Sequence, residues 1–260
     1  MRWARCERNG TVFYGIVRGD EVEEVSGSPF GAYRPTGTRH PLKSVKLLVP
    51  VVPPTFYAAG LNYVDHIKAQ AAGSGQAPNI PQKPDIGYRA VNALIATEEP
   101  VIIPRDAGPK VQYEAELVVV IGKKAKHLPE ADALSCVFGY TIGNDVSERD
   151  WQKLDRTMWR SKNTDTWKPM GPWIETEVDL DALKTTVRVN GKTTLEFPTN
   201  HMLFGIRTYI AAMTRYLTLY PGDVIWMGTE GASPNLKAGD VCEIEITGIG
   251  TLRNPFVAES

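Results

Sequence analysis

A series of apolar, β-prone runs fills the second half of this chain and constrains its fold more than any other feature. From residue 111 onward the runs are ELVVVIG, CVFGYTIGND, PWIETEV, TTVRVNG, DVIWMG and DVCEIEITGIGTLRN. Their valine, isoleucine, threonine and aromatic content and their glycine and aspartate boundaries predict strands. Two segments favour helices: DWQKLDRTMW, and residues 199–217, which Thr199 or Asn200 can cap. Because strands and helices do not alternate, we predict an α+β, β-rich fold built as a mixed β-sandwich or roll.

The first 50 residues predict a separate, small β unit. The stretches TVFYGIV and EVEEV alternate in polarity and are separated by Gly-Asp, which is typical of antiparallel strands. Prolines 50, 53 and 54 then interrupt the chain, so we predict a small N-terminal β domain at 1–50 and a second, larger domain at 51–260. Residues 71–83, AAGSGQAPNIPQK, predict a loop whose glycine and proline content is compatible with a lid.

Composition excludes several classes of partner. The 29 basic and 30 acidic residues give a net charge of −1 without a run of like charge, so no nucleic-acid partner is expected. Cys6, Cys136 and Cys242 are odd in number and far apart, which fits neither a disulfide framework nor a zinc site. No segment approaches the ~18 apolar residues of a membrane span and no signal peptide is evident, so we expect a soluble, cytoplasmic protein.

Three carboxylates form the clearest candidate site. In YEAELVVVIGK, Glu114 and Glu116 are two residues apart on a predicted strand, so both side chains project from one face. Asp145 ends the β-like run GYTIGND and precedes a predicted helix, a position from which a side chain can reach a cleft. The alternative is that the two glutamates line the wet face of an edge strand while Asp145 caps a helix.

Electrostatics indicates what three converging carboxylates require. Each pair about 4 Å apart repels by roughly 4 kcal/mol at an effective dielectric constant near 20, unless protons or a cation intervene. An all-oxygen ligand set suits Mg²⁺ or Mn²⁺, with Ca²⁺ as a further option, rather than zinc. Three protein ligands leave positions open for a chelating 2-keto acid, whose carbonyl the metal polarises.

Several stretches together resemble the fumarylacetoacetate hydrolase family. They are GLNYVDH (60–66), YEAELVVVIGK (113–123), GYTIGNDVSERD (139–150), RSKNTDTWKPMGPWI (160–174), VNG (189–191), PGDVIWMGTEG (221–231) and the closing GIGTLRN. They occur in the family's order across about 200 residues. The resemblance implies a β-rich, metal-dependent, usually homodimeric enzyme that acts on small keto acids. It also matches the family's acidic triad to Glu114, Glu116 and Asp145, which favours the metal site over the edge-strand alternative.

The same resemblance implies catalytic roles for His66, Lys162 and Gln152. Family members that hydrolyse acylpyruvates use a histidine at position 66 to activate water, with a glutamate three residues later to orient it. Here that later residue is Ala69, so the pair is incomplete. Lys162 matches a family lysine that reaches the metal-bound substrate and can neutralise enolate charge. Gln152 matches a family position and is a candidate support for the substrate carboxylate or a metal-bound water.

Three further residues are predicted to bind substrate. Lys83 matches a Lys-Pro step of the family, and Thr229 in MGTEG matches a threonine near the substrate. Many members have Gly-Thr-Pro there, whereas this chain has Glu230, a change that bears on specificity. Arg160 is a candidate partner for the substrate carboxylate. No nucleotide-type cofactor is expected, because GTEGAS and GIG lack a following helix and a phosphate-binding lysine.

These features lead to three hypotheses about function. The first is metal-assisted hydrolysis of a carbon–carbon bond in an acylpyruvate or related β-diketo acid, in the catabolism of aromatic or related compounds. The second keeps the metal and the enolate but omits the attacking water: keto–enol isomerisation or decarboxylation of an unsaturated 2-keto dicarboxylate, which Ala69 favours. The third is a non-catalytic binding protein with the same fold, against which the complete triad and Lys162 argue.

Overall fold

A computed structural model describes residues 1–75 and 77–260, without the side chains of residues 73 and 74. Over these residues the chain forms three sheets and three α-helices, which confirms the predicted β-rich α+β class. The N-terminal strands are β1 (Arg2–Arg8), β2 (Thr11–Arg18), β3 (Glu21–Gly27), β4 (Tyr33–Pro41) and β5 (Lys46–Leu47). Strands β1 to β4 form an antiparallel meander, as the alternating sequence predicts.

The remaining strands follow from residue 56 onward. They are β6 (Phe56–Ala59), β7 (Ile86–Tyr88), β8 (Leu94–Ile95), β9 (Val101–Ile103), β10 (Val111–Gln112), β11 (Ala115–Ile121), β12 (Val137–Asn144), β13 (Ser147–Glu148), β14 (Lys168–Glu175), β15 (Lys184–Val189), β16 (Lys192–Pro198), β17 (Val224–Trp226), β18 (Val241–Ile246) and β19 (Gly250–Ala258). The helices are α1 (Val64–Ser74), α2 (Arg149–Leu154) and α3 (Ile206–Tyr216), with short 3-10 turns at Leu42–Ser44, Val91–Ala93 and Glu130–Cys136.

One large sheet joins both parts of the chain. Its strand order is β4-β3-β2-β1-β14-β12-β11-β17-β6-β7, with β5 paired to β1 and β8 paired to β14. The N-terminal meander enters this sheet through β1, which pairs antiparallel with β14. Backbone pairing therefore crosses the predicted boundary near residue 50, and the division into two domains stays a prediction.

A five-stranded sheet of order β16-β15-β18-β19-β9 packs against the large sheet. Between the sheets lies the main apolar core, to which Leu117 and Val119 of β11 contribute. Every residue of β11 is buried, because Val118 and Val120 pack into a second cluster on the opposite face. Burial on both faces explains why AELVVVI is a nearly continuous apolar run, and it fixes β11 as the central support of the candidate site.

Three predicted segments differ from the structure. Helix α2 ends at Leu154, so the second half of the predicted helix DWQKLDRTMW is not helical, because Asp155 adopts an extended backbone and its carboxylate accepts the N–H groups of Arg160 and Ser161. Helix α1 continues to Ser74, so the first residues of the predicted loop 71–83 are helical, and Gly75 ends the helix in the left-handed conformation at φ +70°. Helix α3 begins at Ile206 rather than near Thr199 or Asn200. Thr199 cannot cap it because its hydroxyl is buried and hydrogen-bonds the Thr185 hydroxyl at 2.7 Å. Among the described residues, no helix is long and apolar enough to cross a membrane.

Candidate active site

The predicted triad assembles where β11 begins and β12 ends. These strands pair antiparallel with Ala115 opposite Asn144, so Asp145 lies beside Glu114 and its backbone N–H donates to the Glu114 carbonyl at 2.9 Å. Glu116 projects from the same face as Glu114, as the period of two dictates. One carboxylate oxygen from each of the three lies within 4.8 Å of the others, and all three side chains are buried.

Four cationic side chains surround two of the three carboxylates. Lys162 Nζ donates to Glu114 Oε2 at 2.7 Å and to Asp145 Oδ2 at 2.9 Å. Asp145 also accepts from Arg89 at 2.8 Å and lies 2.7 Å from Lys168 Nζ, while Arg149 donates to Glu114 Oε1 at 2.6 Å. Glu116 instead accepts the backbone N–H of Gly228 at 2.7 Å.

The pKa values of the triad divide accordingly. Burial raises the pKa of Glu114, but Lys162 and Arg149 outweigh it and hold that pKa at about 2. Asp145 likewise keeps a pKa well below its usual value, because Arg89, Lys162 and Lys168 overcome its burial. For Glu116, burial and the charges of Asp145 and Glu114 raise the pKa to about 8. Of the three carboxylates, Glu116 is thus the one whose pKa shows the mutual repulsion that the sequence predicts for the triad.

This donor set fits a hard divalent cation. All three ligands are carboxylates, and their separation matches metal–oxygen distances of about 2.0–2.6 Å to one shared ion. A divalent cation would lower the raised pKa of Glu116 and hold this carboxylate ionised, whereas the protein's own cations already do so for Glu114 and Asp145. Glu114, Glu116 and Asp145 are therefore the residues that could hold Mg²⁺ or Mn²⁺.

His66, in the first turn of α1, has both ring nitrogens engaged. Its Nδ1 lies 2.6 Å from the Gly231 carbonyl oxygen, which can only accept, so Nδ1 carries the proton of the neutral ring. Its Nε2 then holds the lone pair, lies 3.9 Å from Glu114 Oε1 and accepts from the Gln70 amide at 2.6 Å. Burial lowers the pKa of His66, partly opposed by the Glu114 charge, so the ring favours the neutral form.

Two adjoining cavities meet at His66. The inner one, about 90 Å³, lies at the triad and is also lined by Lys162, Thr229 and Met158. The outer one, about 520 Å³, is bounded by α1 and α2 and by polar side chains that include Gln112 and Arg149. Both cavities share four lining residues: Leu61, His66, Gln70 and Gln152. A molecule held at the triad can therefore extend past His66 into the outer cavity.

The structure brings most of the residues predicted from sequence to these cavities. Gln152 accepts from Arg149 at 2.9 Å and lines both, and the buried Thr229 lines the inner one with its hydroxyl unbonded within the described residues. Arg160 instead stacks 4.4 Å over the Trp151 ring and pairs with Asp155 at 3.2 Å. Lys83 is exposed. Neither Arg160 nor Lys83 is among the described residues that line the cavities, so substrate binding by them stays a prediction.

Sequence reasoning missed three of the four cations. Lys168 opens the apolar strand β14, and a lysine in such a strand signals a buried partner. Arg149 follows the SE pair that leads into α2, where it reads as an ordinary surface residue. Arg89 lies just after the short strand β7, and nothing in its local sequence distinguishes it.

Family models match both parts of the chain. Residues 55–257 match the model described as fumarylacetoacetate (FAA) hydrolase, C-terminal, and residues 1–50 match the one described as Rv2993c-like, N-terminal. Protein Rv2993c of Mycobacterium tuberculosis is 39% identical to this chain, with 99% of this chain and 98% of that protein covered. The human mitochondrial oxaloacetate tautomerase FAHD2A is 36% identical, with 84% of this chain and 71% of that protein covered.

Solved structures share the whole fold. A 5-carboxymethyl-2-hydroxymuconate delta-isomerase from Mycobacterium smegmatis has a TM-score of 0.90 at 36% identity, with both chains fully covered. A maleylpyruvate hydrolase from Sphingobium sp. SYK-6, in complex with manganese(II) and pyruvate, has a TM-score of 0.80 at 25% identity, again with both chains fully covered. With a family model that spans most of its length and relatives this similar, the chain belongs to the fumarylacetoacetate hydrolase family.

Proposed function

We propose that this protein is a divalent-metal-dependent enzyme that moves a proton within a small 2-keto dicarboxylic acid, as a keto–enol tautomerase or double-bond isomerase. The observation that carries the proposal is the state of His66: a neutral ring whose Nδ1 is fixed by the Gly231 carbonyl and whose Nε2 lone pair lies at the junction of the two cavities. Relatives that are 36% identical include an oxaloacetate tautomerase and a delta-isomerase.

The charges at the site favour an anionic substrate. Four cations pair with carboxylates of the triad, which has three, so this cluster carries one positive charge in excess before a divalent ion adds its own. A dianionic keto acid complements that excess without further counter-ions. The inner cavity suits the keto-acid end of such a molecule, and the outer cavity leaves room for the rest.

Bound by Glu114, Glu116 and Asp145, Mg²⁺ or Mn²⁺ supplies Lewis-acid polarisation of a keto oxygen. Lys162 adds a second electrophile. Two of its three N–H groups bond Glu114 and Asp145 in the part of the chain that the structure describes, which leaves the third for a substrate oxygen in the inner cavity. Its positive charge stabilises the negative charge that develops on an enolate oxygen.

His66 is suited to move the proton. Once a substrate displaces the Gln70 amide, Nε2 can take a proton from the carbon next to the keto group and return it to oxygen or to another carbon. Glu114 Oε1, 3.9 Å away, favours the transient imidazolium. This transfer needs one base and neither adds nor removes an atom.

Hydrolysis is the second candidate, supported by the fold shared with a maleylpyruvate hydrolase. It requires a water molecule aligned by a base and an orienting carboxylate. Residue 69 is alanine, and the neighbouring group that contacts Nε2 of His66 is an amide rather than a carboxylate. An amide can hold the imidazole in place but stabilises its protonated form less than glutamate does.

Product masses distinguish these reactions in one experiment. Oxaloacetate, an acylpyruvate and fumarylpyruvate are incubated with metal-stripped protein, then with Mg²⁺ or Mn²⁺, in H₂O and in D₂O. We expect metal-dependent conversion without change of mass in H₂O and with deuterium uptake in D₂O, faster than in protein-free controls containing the same metal. Metal-dependent release of pyruvate and a second acid would establish the hydrolase instead, and loss of carbon dioxide would establish a decarboxylase.

We further propose that the protein acts as a homodimer in the cytoplasm, with residues 1–50 as a distinct N-terminal domain. The family resemblance supports the dimer, the balanced composition with three separate cysteines supports the compartment, and the separate family match of residues 1–50 supports the domain. Light scattering coupled to size-exclusion chromatography tests the dimer, and a mass of one chain, 28.7 kDa, would contradict it.

A further inference from the structure

Residues 228–231 connect the triad to His66. Gly228 donates its backbone N–H to Glu116 Oε2 at 2.7 Å, at a φ of +87° that favours glycine. Two residues later, Glu230 Oε1 accepts the backbone N–H of His66 at 3.1 Å. The next carbonyl, that of Gly231, accepts from the His66 ring at 2.6 Å. One short loop therefore contacts a proposed metal ligand, the backbone of the proposed base and its imidazole.

Glu230 supplies the N-terminal side-chain cap that helix α1 does not obtain from its own N-cap residue. Tyr63 occupies the N-cap position, and no side-chain cap bond forms there. Asp65 is acidic and in the first turn, but it is exposed and pairs with Lys68 at 3.1 Å. The Glu230 carboxylate thus caps the helix from 164 residues away in sequence, where a negative charge also complements the helix dipole.

The cap and the ring contact are coupled through the chain. Glu230 and Gly231 are consecutive, and Glu230 Oε1 also accepts the Gly231 N–H at 3.1 Å. The carboxylate that accepts the His66 backbone N–H therefore also accepts the N–H of Gly231, the residue whose carbonyl selects the Nδ1–H tautomer. Loss of the Glu230 carboxylate would therefore remove the acceptor of both the His66 N–H and the Gly231 N–H.

We propose that Glu230 is a positioning residue for His66. Glu230 fixes the first turn of α1 and, through Gly231, the ring tautomer in which the Nε2 lone pair faces the cavities. The effect on turnover rests on the proposed function, whereas the effect on the tautomer does not.

The test compares wild type with Glu230→Gln, which keeps an acceptor oxygen, and with Glu230→Ala, which removes it. Glu259→Ala is the matched control, because Glu259 also accepts a backbone N–H from a distant segment, that of Arg105 at 3.0 Å, away from the cavities. Long-range ¹H–¹⁵N spectra of ¹⁵N-histidine protein, taken about two pH units above the ordinary histidine pKa, report the tautomer, and His66→Gln assigns the signals among the four histidines.

Wild type, Glu230→Gln and the control should show the Nδ1–H tautomer, and Glu230→Ala should show a mixture with faster exchange of the His66 backbone N–H. In turnover, Glu230→Ala should lower kcat about 10-fold or more with KM within about twofold, and Glu230→Gln should restore most of it, since small displacements of a reacting group cost this much.

An unchanged tautomer and amide-exchange rate in Glu230→Ala would overturn the proposal, as would an equal loss of kcat in Glu230→Gln. If Glu230→Ala does not fold, Glu230→Ser provides the same comparison. If wild type itself shows no turnover, the proposed function fails, and the spectra alone still decide the role of Glu230.

Discussion

Lys168 Nζ lies 2.7 Å from Asp145 Oδ1, and both side chains are buried, at 0% and 1% exposed. The ammonium also donates to the backbone carbonyls of Val146 and Trp167 at 3.0 and 2.9 Å. Burial lowers the pKa of Lys168 to about 8, even though the Asp145 charge opposes the shift. This lysine therefore supports the back of the triad and binds the start of β14 to the loop that carries Asp145.

Replacing Lys168 should be strongly destabilising. Lys168→Met keeps the length of the side chain but leaves two buried carbonyls and part of the Asp145 charge without a donor. We expect a loss of about 3 kcal/mol in the free energy of unfolding, measured by urea denaturation. The matched control is Lys184→Met, because Lys184 pairs with Glu196 at 2.7 Å with both side chains about half exposed. It should cost less than about 1 kcal/mol, and similar losses in the two variants would contradict this account.

Glu116 gives the metal-free protein a defined pH dependence. Because the folded-state pKa lies above the ordinary 4.5, the folded state binds a proton between pH 4.5 and about 8 that the unfolded state releases, so stability falls as the pH rises through this window. Glu116→Gln removes the titrating group. In metal-free protein it should leave stability unchanged near pH 4 and raise it by about 5 kcal/mol near pH 9, since each pH unit between 4.5 and about 8 contributes roughly 1.4 kcal/mol.

The same substitution should have the opposite effect when metal is present. Wild type should gain thermal stability on addition of Mg²⁺ or Mn²⁺, and Glu116→Gln should gain little, because a ligand charge is lost. A calorimetric melting series over pH, with and without metal, measures both effects. A metal-induced shift of equal size in the two proteins would show that Glu116 is not a ligand.

Lys162 is expected to act on the substrate more than on the metal. Lys162→Met removes a cation that bonds Glu114 and Asp145, so divalent-metal binding measured by calorimetry should be at least as tight as in wild type. The rate constant kcat should fall about 100-fold, the scale of losing one preorganised electrophilic donor. Weakened metal binding with unchanged kcat would assign Lys162 a purely structural role.

The sequence predicts the triad well because its signal is local. Glu114 and Glu116 share a face through the strand period of two, and a turn places Asp145 after the next strand. The antiparallel register of β11 and β12 is not encoded in either stretch alone, yet it is what brings Asp145 beside Glu114. The family resemblance supplied this relation, together with the predicted role of Lys162.

The surroundings of the triad could not be predicted in the same way. Arg89, Arg149 and Lys168 come from three separate segments, and only the tertiary fold places them on the carboxylates. The cap of α1 is similar, because its acceptor, Glu230, lies 164 residues from His66. The small residues between Ala71 and Gly75 predict a loop by composition, but the helix continues through them until Gly75 adopts positive φ.

The most direct test of the central claim is the rate at which oxaloacetate enol converts to the keto form, followed by ultraviolet absorbance with chelator-treated protein before and after addition of Mg²⁺ or Mn²⁺. We predict a rate at the protein-free level without metal, saturable recovery above the protein-free rate with metal, and no recovery in Glu116→Gln. Full activity in the presence of chelator, or equal recovery in Glu116→Gln, would contradict a metal site formed by Glu114, Glu116 and Asp145.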